Sequence, residues 1–374
     1  MAGIYIHIPF CKKACNYCNF HFSVNQQLMP QMTAAIVTEA RLQQNYLDEP
    51  VETIYFGGGT PSLLSGEQLN SILSGIRNIF SVSDQAEITL EANPDDINTP
   101  SLEIWKAAGI NRLSIGIQSF FEADLTWMGR AHNAEQALAC VQLAQYAGFN
   151  NLSIDLIYGG PTLTDEHWKQ NLQTAIELKV PHLSCYALTV EPKTILAKKI
   201  NDRLLEEVDP DKQAIHFNML MEYTAAAGYE QYEISNFALP GMRSKHNSSY
   251  WSGSHYLGLG PGAHSYNGVS RQWNIANNSL YLSSLKQESI PAEIELLTSQ
   301  QRVNEYIMTS LRTSEGLDLN LLEKTGNSGI VADVLELANK FIAQGTLIRS
   351  GNFLIIPPKG KFYADGIAAE LFQL

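Results

Sequence analysis

The chain has 374 residues, 45% of them hydrophobic and 17% charged, and a net charge of −13. These are the proportions of a globular protein with room for two or three domains, and no apolar run approaches the ~20 residues of a membrane span. The acidic balance disfavours non-specific nucleic-acid binding, which needs basic patches. MAGIYIHIPFC shows neither the basic start nor the cleavage pattern of a signal peptide. Five cysteines, three of them clustered, do not make a disulfide framework and suit a reducing cytoplasm.

Strand-like, β-branched runs are predicted at 4–9, 53–58, 87–93, 112–118, 151–158 and 182–189, with helical patterns between them at 30–47, 133–148 and 165–179. This alternation predicts parallel β/α units with right-handed crossovers. Six units are too few for a closed eight-stranded barrel, which leaves an open partial barrel or a doubly wound sheet. Beyond about residue 190 the pattern is irregular: a helix near 211–227 leads into an aromatic- and Gly-rich tract. From 299 onward, helical patterns precede a hairpin-like LIRSGNFLIIPP and a last helix, an order that resembles a winged helix. That stretch carries seven Lys/Arg against eight Asp/Glu, so a packing or docking module is expected over a nucleic-acid reader. The expected division is 1–235, an irregular region 236–298, and 299–374.

Chemistry concentrates near the N-terminus. Cys11, Cys15 and Cys18 form a C-x-x-x-C-x-x-C run. Thiolates are soft ligands that favour iron–sulfur clusters, zinc or copper, but zinc sites complete cysteine pairs with a second pair or histidines. Three cysteines can hold a four-iron cluster by three corners and leave one iron open. The lone Cys140 and Cys185 read as small buried apolar side chains. Gly57-Gly58-Gly59-Thr60-Pro61 ends a predicted strand, and glycines there let the backbone approach a ligand. Glu91, Gln118 and Asp155 each stand at or near the C-terminal end of a predicted strand, the rim where parallel β/α folds build sites. An amino acid chelating iron would need such contacts, and S-adenosylmethionine is that kind of ligand.

With these motifs, the strings IYIHIPFC, YFGGGTPS, EANP, RLSIGIQSF, GRAHN, DLIYGGP and HNSSYW resemble the radical S-adenosylmethionine superfamily. Within it they are similar to the oxygen-independent coproporphyrinogen III oxidase-like branch, and there most of all to the heme-chaperone family. The resemblance implies an α/β fold: a six-unit partial (β/α) barrel with a C-terminal α+β winged-helix-like module. It also implies a [4Fe-4S] cluster on Cys11, Cys15 and Cys18, with Tyr17 beside the adenine. Tyr5, Gly58, Gly59 and Thr60 are expected to line the S-adenosylmethionine pocket, Glu91, Gln118, Arg130 and Asp155 to contact polar groups of that ligand or a second one, and Ala187 to belong to the same site. His246, within Lys245-His246-Asn247-Ser248-Ser249-Tyr250-Trp251, is the implied heme ligand. His264 is a second candidate, while His7 and His21 flank the cluster.

Two departures from the oxidase bear on function. Phe20 stands where the oxidase carries a fourth cysteine, and only ten residues precede Cys11 where the oxidase has a longer segment. The resemblance therefore implies a cytoplasmic heme carrier delivering to an apo-hemoprotein such as a respiratory-chain protein, with the cluster and S-adenosylmethionine governing release or a homodimer. Coproporphyrinogen oxidation is the rival expectation. A tRNA-modifying radical enzyme is a third, disfavoured by the charge.

Overall fold

In the computed structural model, which describes residues 2–327 and 329–373, the first half alternates strand and helix. The residues with which the expected first and last segments begin and end, 1 and 374, lie outside the described residues. In chain order come β1 (Ala2–Ile8), α1 (Met29–Leu42), β2 (Val51–Gly58), α2 (Gly66–Ile79), β3 (Val82–Ala92), α3 (Thr99–Ala108), β4 (Arg112–Gln118), α4 (Glu122–Met128), α5 (Ala134–Tyr146), β5 (Leu152–Tyr158), α6 (Asp165–Glu177) and β6 (His182–Ala187). Strands β1 to β6 are parallel and adjacent in sequence order. Their side chains alternate: one set, including Ile4, Ile6, Ile54, Phe56, Leu113, Ile115, Leu152 and Ile154, packs in the hydrophobic core, while the other carries polar groups such as Thr53, Glu91, Arg112, Ser153 and Asp155; in β1 only Tyr5 is not fully buried. Side-chain caps start the helices: Ser65, Asn98 and Asn133 each close a capping box, which satisfies backbone donors that the first turn leaves free. The sheet does not close on itself, so the fold is a six-unit partial barrel.

The next segment holds α7 (Ile195–Asn201), α8 (Pro210–Ala226), β7 (Glu230–Glu233), β8 (Asn236–Ala238), α9 (Lys245–Trp251), β9 (Tyr256–Leu259), β10 (His264–Tyr266), β11 (Ser270–Asn274), α10 (Asn278–Lys286) and β12 (Ala292–Leu296). Much of 236–298, expected to be irregular, is thus regular and extends the sheet at both edges. β8 and β7 add antiparallel beyond β6, while β9 pairs parallel with β1 and carries β10, β11 and β12 outward. Glycine hid these strands from a reading by alternation. Gly260 has φ 101°, and a side chain there would run into the His7 carbonyl, so the position is glycine for close approach.

The C-terminal module runs α11 (Ser299–Leu311), β13 (Leu317–Asp318), α12 (Leu319–Thr325), α13 (Ile330–Gln344), β14 (Ile348–Ser350), β15 (Phe353–Ile355) and α14 (Ala364–Glu370). Its three-stranded sheet has the order β13-β15-β14, the helix–strand–helix–helix–hairpin succession of a winged helix. It packs a hydrophobic core of its own, from Val303 to Leu371, while the barrel core runs from Ala2 to Leu285. Charged pairs stitch the two: Arg312 to Glu233 at 2.9 Å, Arg243 to Glu315 at 2.6 Å and Arg271 to Glu305 at 2.8 Å.

One buried carboxylate ties the sheet extension to the barrel. Glu39 of α1 is fully buried and accepts from Tyr281 Oη (2.5 Å), Asn274 Nδ2 (2.6 Å), the Gly260 amide (2.8 Å) and Gln43 Nε2 (3.0 Å). Burial pushes it up to about 7 even though all four donors pull the other way. Glu39→Ala leaves several of these donors unpaired in the core. A loss of about 3 kcal/mol or more is expected, read as a lower midpoint in chemical denaturation.

Candidate functional site

The C-terminal ends of the parallel strands, with the loops that follow, surround a pocket of about 500 Å³. Twelve of the thirteen residues expected to hold cluster or S-adenosylmethionine line it. Cys11, Cys15, Tyr17 and Cys18 come from the long loop after β1, and Gly58, Gly59 and Thr60 from the end of β2 and its turn. Glu91, Gln118, Asp155 and Ala187 come from β3, β4, β5 and β6, and Arg130 follows α4. Tyr5 is the exception. Its ring passes beneath Gly57, where a Cβ would stand 2.8 Å from it, and its hydroxyl meets His7 Nδ1 at 3.3 Å, so Tyr5 lines a second cavity instead.

Arg130 joins the pocket's parts. Its Nη1 lies 3.4 Å from both Cys15 Sγ and Tyr17 Oη, while its Nη2 donates to Asn93 Oδ1 (2.6 Å) and the Gly116 carbonyl (2.8 Å). Asn93 then donates to Thr60 Oγ1 at 3.2 Å, so one network links the cysteine loop to the GGGTP turn. The turn is a close-packed cradle: a Cβ on Gly59 would sit 2.6 Å from the Phe10 carbonyl and 2.8 Å from that of Ile8. Gln118 ends its strand at φ 66°, beside a break in register with β5. A non-glycine residue is held there at a conformational cost, and it turns toward the pocket.

Two acids meet in this pocket. Burial, then Asp155, pushes Glu91 up to about 8, although Tyr55 donates to its Oε1 at 2.9 Å. Burial lifts Asp155 to about 6 against the pull of Arg112. Arg112 is 1% exposed, with no hydrogen-bond partner for its guanidinium nitrogens among the described residues. Tyr55, Asn93 and Arg112 were not foreseen. Tyr55 and Arg112 sit on strands among apolar neighbours, and only the alternation of strand faces could have pointed to them.

The three thiols fit a cluster. Burial pushes Cys11 up to about 11 and also raises Cys18, so assembly of a thiolate-held cofactor releases protons. Among the described residues no three His, Cys, Asp or Glu side chains converge on a single-ion site; a four-iron cluster, wider than one ion, takes each thiolate at a separate corner. Cys140 and Cys185 are buried in the core and do not line the pocket.

His246 stands elsewhere. It is 1% exposed, stacks on Tyr55 at 5.0 Å, and has both ring nitrogens engaged: Nδ1 with Thr53 Oγ1 and Nε2 with Tyr250 Oη, each at 2.8 Å. Iron needs a free imidazole lone pair and an open approach, and this arrangement provides neither. The expected heme ligand is therefore unavailable to iron in this structure.

An open parallel barrel whose rim gathers three thiols, a glycine turn and two acids defines the radical S-adenosylmethionine class. The family described as "Radical SAM superfamily" matches residues 5–175, and that described as "HemN C-terminal domain" matches 297–363. Membership implies a [4Fe-4S] cluster and S-adenosylmethionine. The "Heme chaperone HemW" of Bacillus subtilis is 35% identical over 375 residues, covering 98% of each chain. That of Mycobacterium tuberculosis is also 35% identical, covering 99% of this chain and 94% of the relative. The chain belongs to the HemW family. Coproporphyrinogen III oxidase (HemN) from Escherichia coli superposes with a TM-score of 0.86 over 100% of this chain and 90% of that one, at 23% identity, a likeness of fold.

Two outcomes test the site. Gly59→Ala forces apart the turn and the strand that leads into the cysteine loop, so the reconstituted variant should retain less iron and sulfide than wild type, with weaker absorbance in the visible region. Glu91 and Asp155 must be ionised to attract a cationic ligand, and their raised values put that change between about pH 6 and 8. Affinity of the cluster-loaded protein for S-adenosylmethionine should therefore fall as pH drops from 8 to 6 in titration calorimetry.

Proposed function

We propose that the chain is a cytoplasmic heme chaperone that binds heme and passes it to an apo-hemoprotein. The observation that carries this reading is the second cavity, about 1210 Å³, which shares Asn19 and Phe20 of the cysteine loop with the pocket just described. Its size exceeds what most drug-sized ligands require, and Tyr5, Phe20, Tyr250, Trp251, Tyr256, Tyr266 and Tyr306 contribute aromatic faces to its wall. The name carried by the full-length relatives supports the same cargo.

In this reading Cys11, Cys15 and Cys18 hold the cluster, and Tyr17, Gly58, Gly59 and Thr60 shape the space for S-adenosylmethionine. Bound there, the cluster supplies an iron with an open position for the amino and carboxyl groups of that molecule. Glu91 and Asp155 attract the ligand's positive charge, Gln118 hydrogen-bonds its polar groups, Arg130 positions the loop against Thr60, and Ala187 keeps the wall low at the end of β6. Phe20, 63% exposed, stands where the two spaces meet, so loading of one can be felt at the other. The resemblance extends the proposal to a respiratory acceptor and to a cluster-dependent homodimer.

The test is anaerobic titration of cluster-loaded protein with hemin, followed by mixing with an apo-hemoprotein. A saturable Soret band that moves to the acceptor supports the reading. Absence of hemin binding overturns it, as does conversion of coproporphyrinogen to protoporphyrinogen at enzymatic rates when reductant and S-adenosylmethionine are present.

A further inference from the structure

The larger cavity has two facing walls of different origin. On one side is the β10–β11 hairpin. His264 pairs with Trp273 and Tyr266 with Arg271, and direct antiparallel partners share a face, so all four side chains project from the same side. His264, Tyr266 and Arg271 line the cavity. On the other side is α11, where Arg302, Glu305, Tyr306 and Thr309 also line it; the spacing i, i+3, i+4, i+7 is one helical stripe. Tyr250 and Trp251 of α9 close a third side, and the cysteine loop a fourth.

Charge and free valence both point to a ligand. Among the described residues Arg271, Arg302 and Lys324 line the cavity against one carboxylate, Glu305, in a chain whose net charge is −13. Arg271 pairs with Glu305, but Arg302 and Lys324 have no carboxylate partner among the described residues. Among the described residues the Arg302 Nε and Trp251 Nε1 hydrogens are buried without an acceptor, a cost that a bound anion would remove.

The histidines differ in what they have left to give. His7 Nε2 meets the His21 carbonyl at 2.8 Å and so carries the proton, while its Nδ1 faces Tyr5 Oη. His21 Nε2 is engaged with Asn278 Oδ1 at 2.8 Å. His264 is exposed to the cavity, and among the described residues neither of its ring nitrogens has a hydrogen bond; its ring stacks on Trp273 at 6.3 Å. Burial and Arg271 lower its pKa, which keeps the imidazole neutral, the form that binds iron.

We propose that this cavity is the heme site, with His264 as the axial iron ligand, and Arg302 and Lys324 receiving the propionates while aromatic side chains cover the macrocycle. The inference rests on the heme-carrier reading above and assigns its residues. It makes α11 and α12 part of the cargo site, so the C-terminal module is a wall of the pocket.

Two probes separate iron ligation from shape and charge: hemin, and metal-free protoporphyrin IX, which has the same propionates but no iron. Both are titrated into full-length, cluster-loaded protein. His264→Ala should weaken hemin by about tenfold or more and shift its Soret band, since a ligand bond is lost. It should leave metal-free porphyrin within about twofold, and added imidazole should restore the hemin spectrum. Arg302→Gln with Lys324→Gln should weaken both probes by about tenfold, the scale of a lost charge-assisted hydrogen bond. Iron content and S-adenosylmethionine affinity, measured on each variant, should match wild type. A His264→Ala protein with wild-type hemin spectrum and affinity overturns this assignment while the carrier function stands. Equal weakening of both probes in that variant overturns the iron-ligand role. Wild type that binds no hemin overturns both proposals.

Discussion

The cysteine loop, Pro9 to Leu28, carries Cys11, Cys15 and Cys18 on a stretch with almost no regular secondary structure, and Arg130 ties it to the strand ends. A loop of that length can sample many conformations, whereas a thiolate cage needs its three sulfurs held together. Arg130 reaches Cys15 and Tyr17 on the loop while its other nitrogen is committed to Asn93 and the Gly116 carbonyl on the strand ends. The planar guanidinium suits this double duty because its donors point in fixed directions. Further bonds reinforce the placement: Asn16 donates to the Trp127 carbonyl at 2.7 Å, and Lys12 pairs with Asp95 at 2.8 Å. The loop is thus built into the rim from several sides.

What could be read from the sequence follows the distance between interacting residues. Each parallel unit is a strand and the helix next to it, so its periodicity is local, and Glu91 and Asp155 could be placed on one side of the sheet before any contact was known, although Asp155 stands in the middle of β5 and only Glu91 stands near its strand's end. The extension from β9 to β12 was not legible. β9 pairs with β1 across some 250 residues, and close approach at Gly258 and Gly260 interrupts the alternation that marks a strand. Tyr5 shows a subtler limit. Its position on β1 was readable, but which of two adjoining spaces its ring enters depends on the missing side chain at Gly57.

His246 illustrates the same limit for chemistry. A histidine among Asn, Ser, Tyr and Trp reads equally well as a metal ligand or as a buried hydrogen-bonding residue. The deciding fact is that α9 packs against β1 and β2, which brings Thr53 to one nitrogen while Tyr250, one turn along the same helix, takes the other. The imidazole also stacks on Tyr55, whose hydroxyl holds Glu91. The motif therefore stands between the two spaces, with Asn247 on the acidic pocket and Tyr250 and Trp251 on the larger cavity.

The two walls of the larger cavity lie far apart in the chain, and that separation sets an order of events during synthesis. The cysteine loop emerges within the first thirty residues, and the barrel strands follow, but α11 and α12 span Ser299 to Thr325. At the usual pace of translation, about 5–20 residues per second, the loop exists for many seconds before its opposite wall has left the ribosome. During that interval the thiols and the hairpin face solvent across an open side. The cavity is enclosed only once the C-terminal module has packed its own core and docked through Arg243, Arg271 and Arg312. A chain cut short before that point would keep its metal-binding motif and lack a finished cavity.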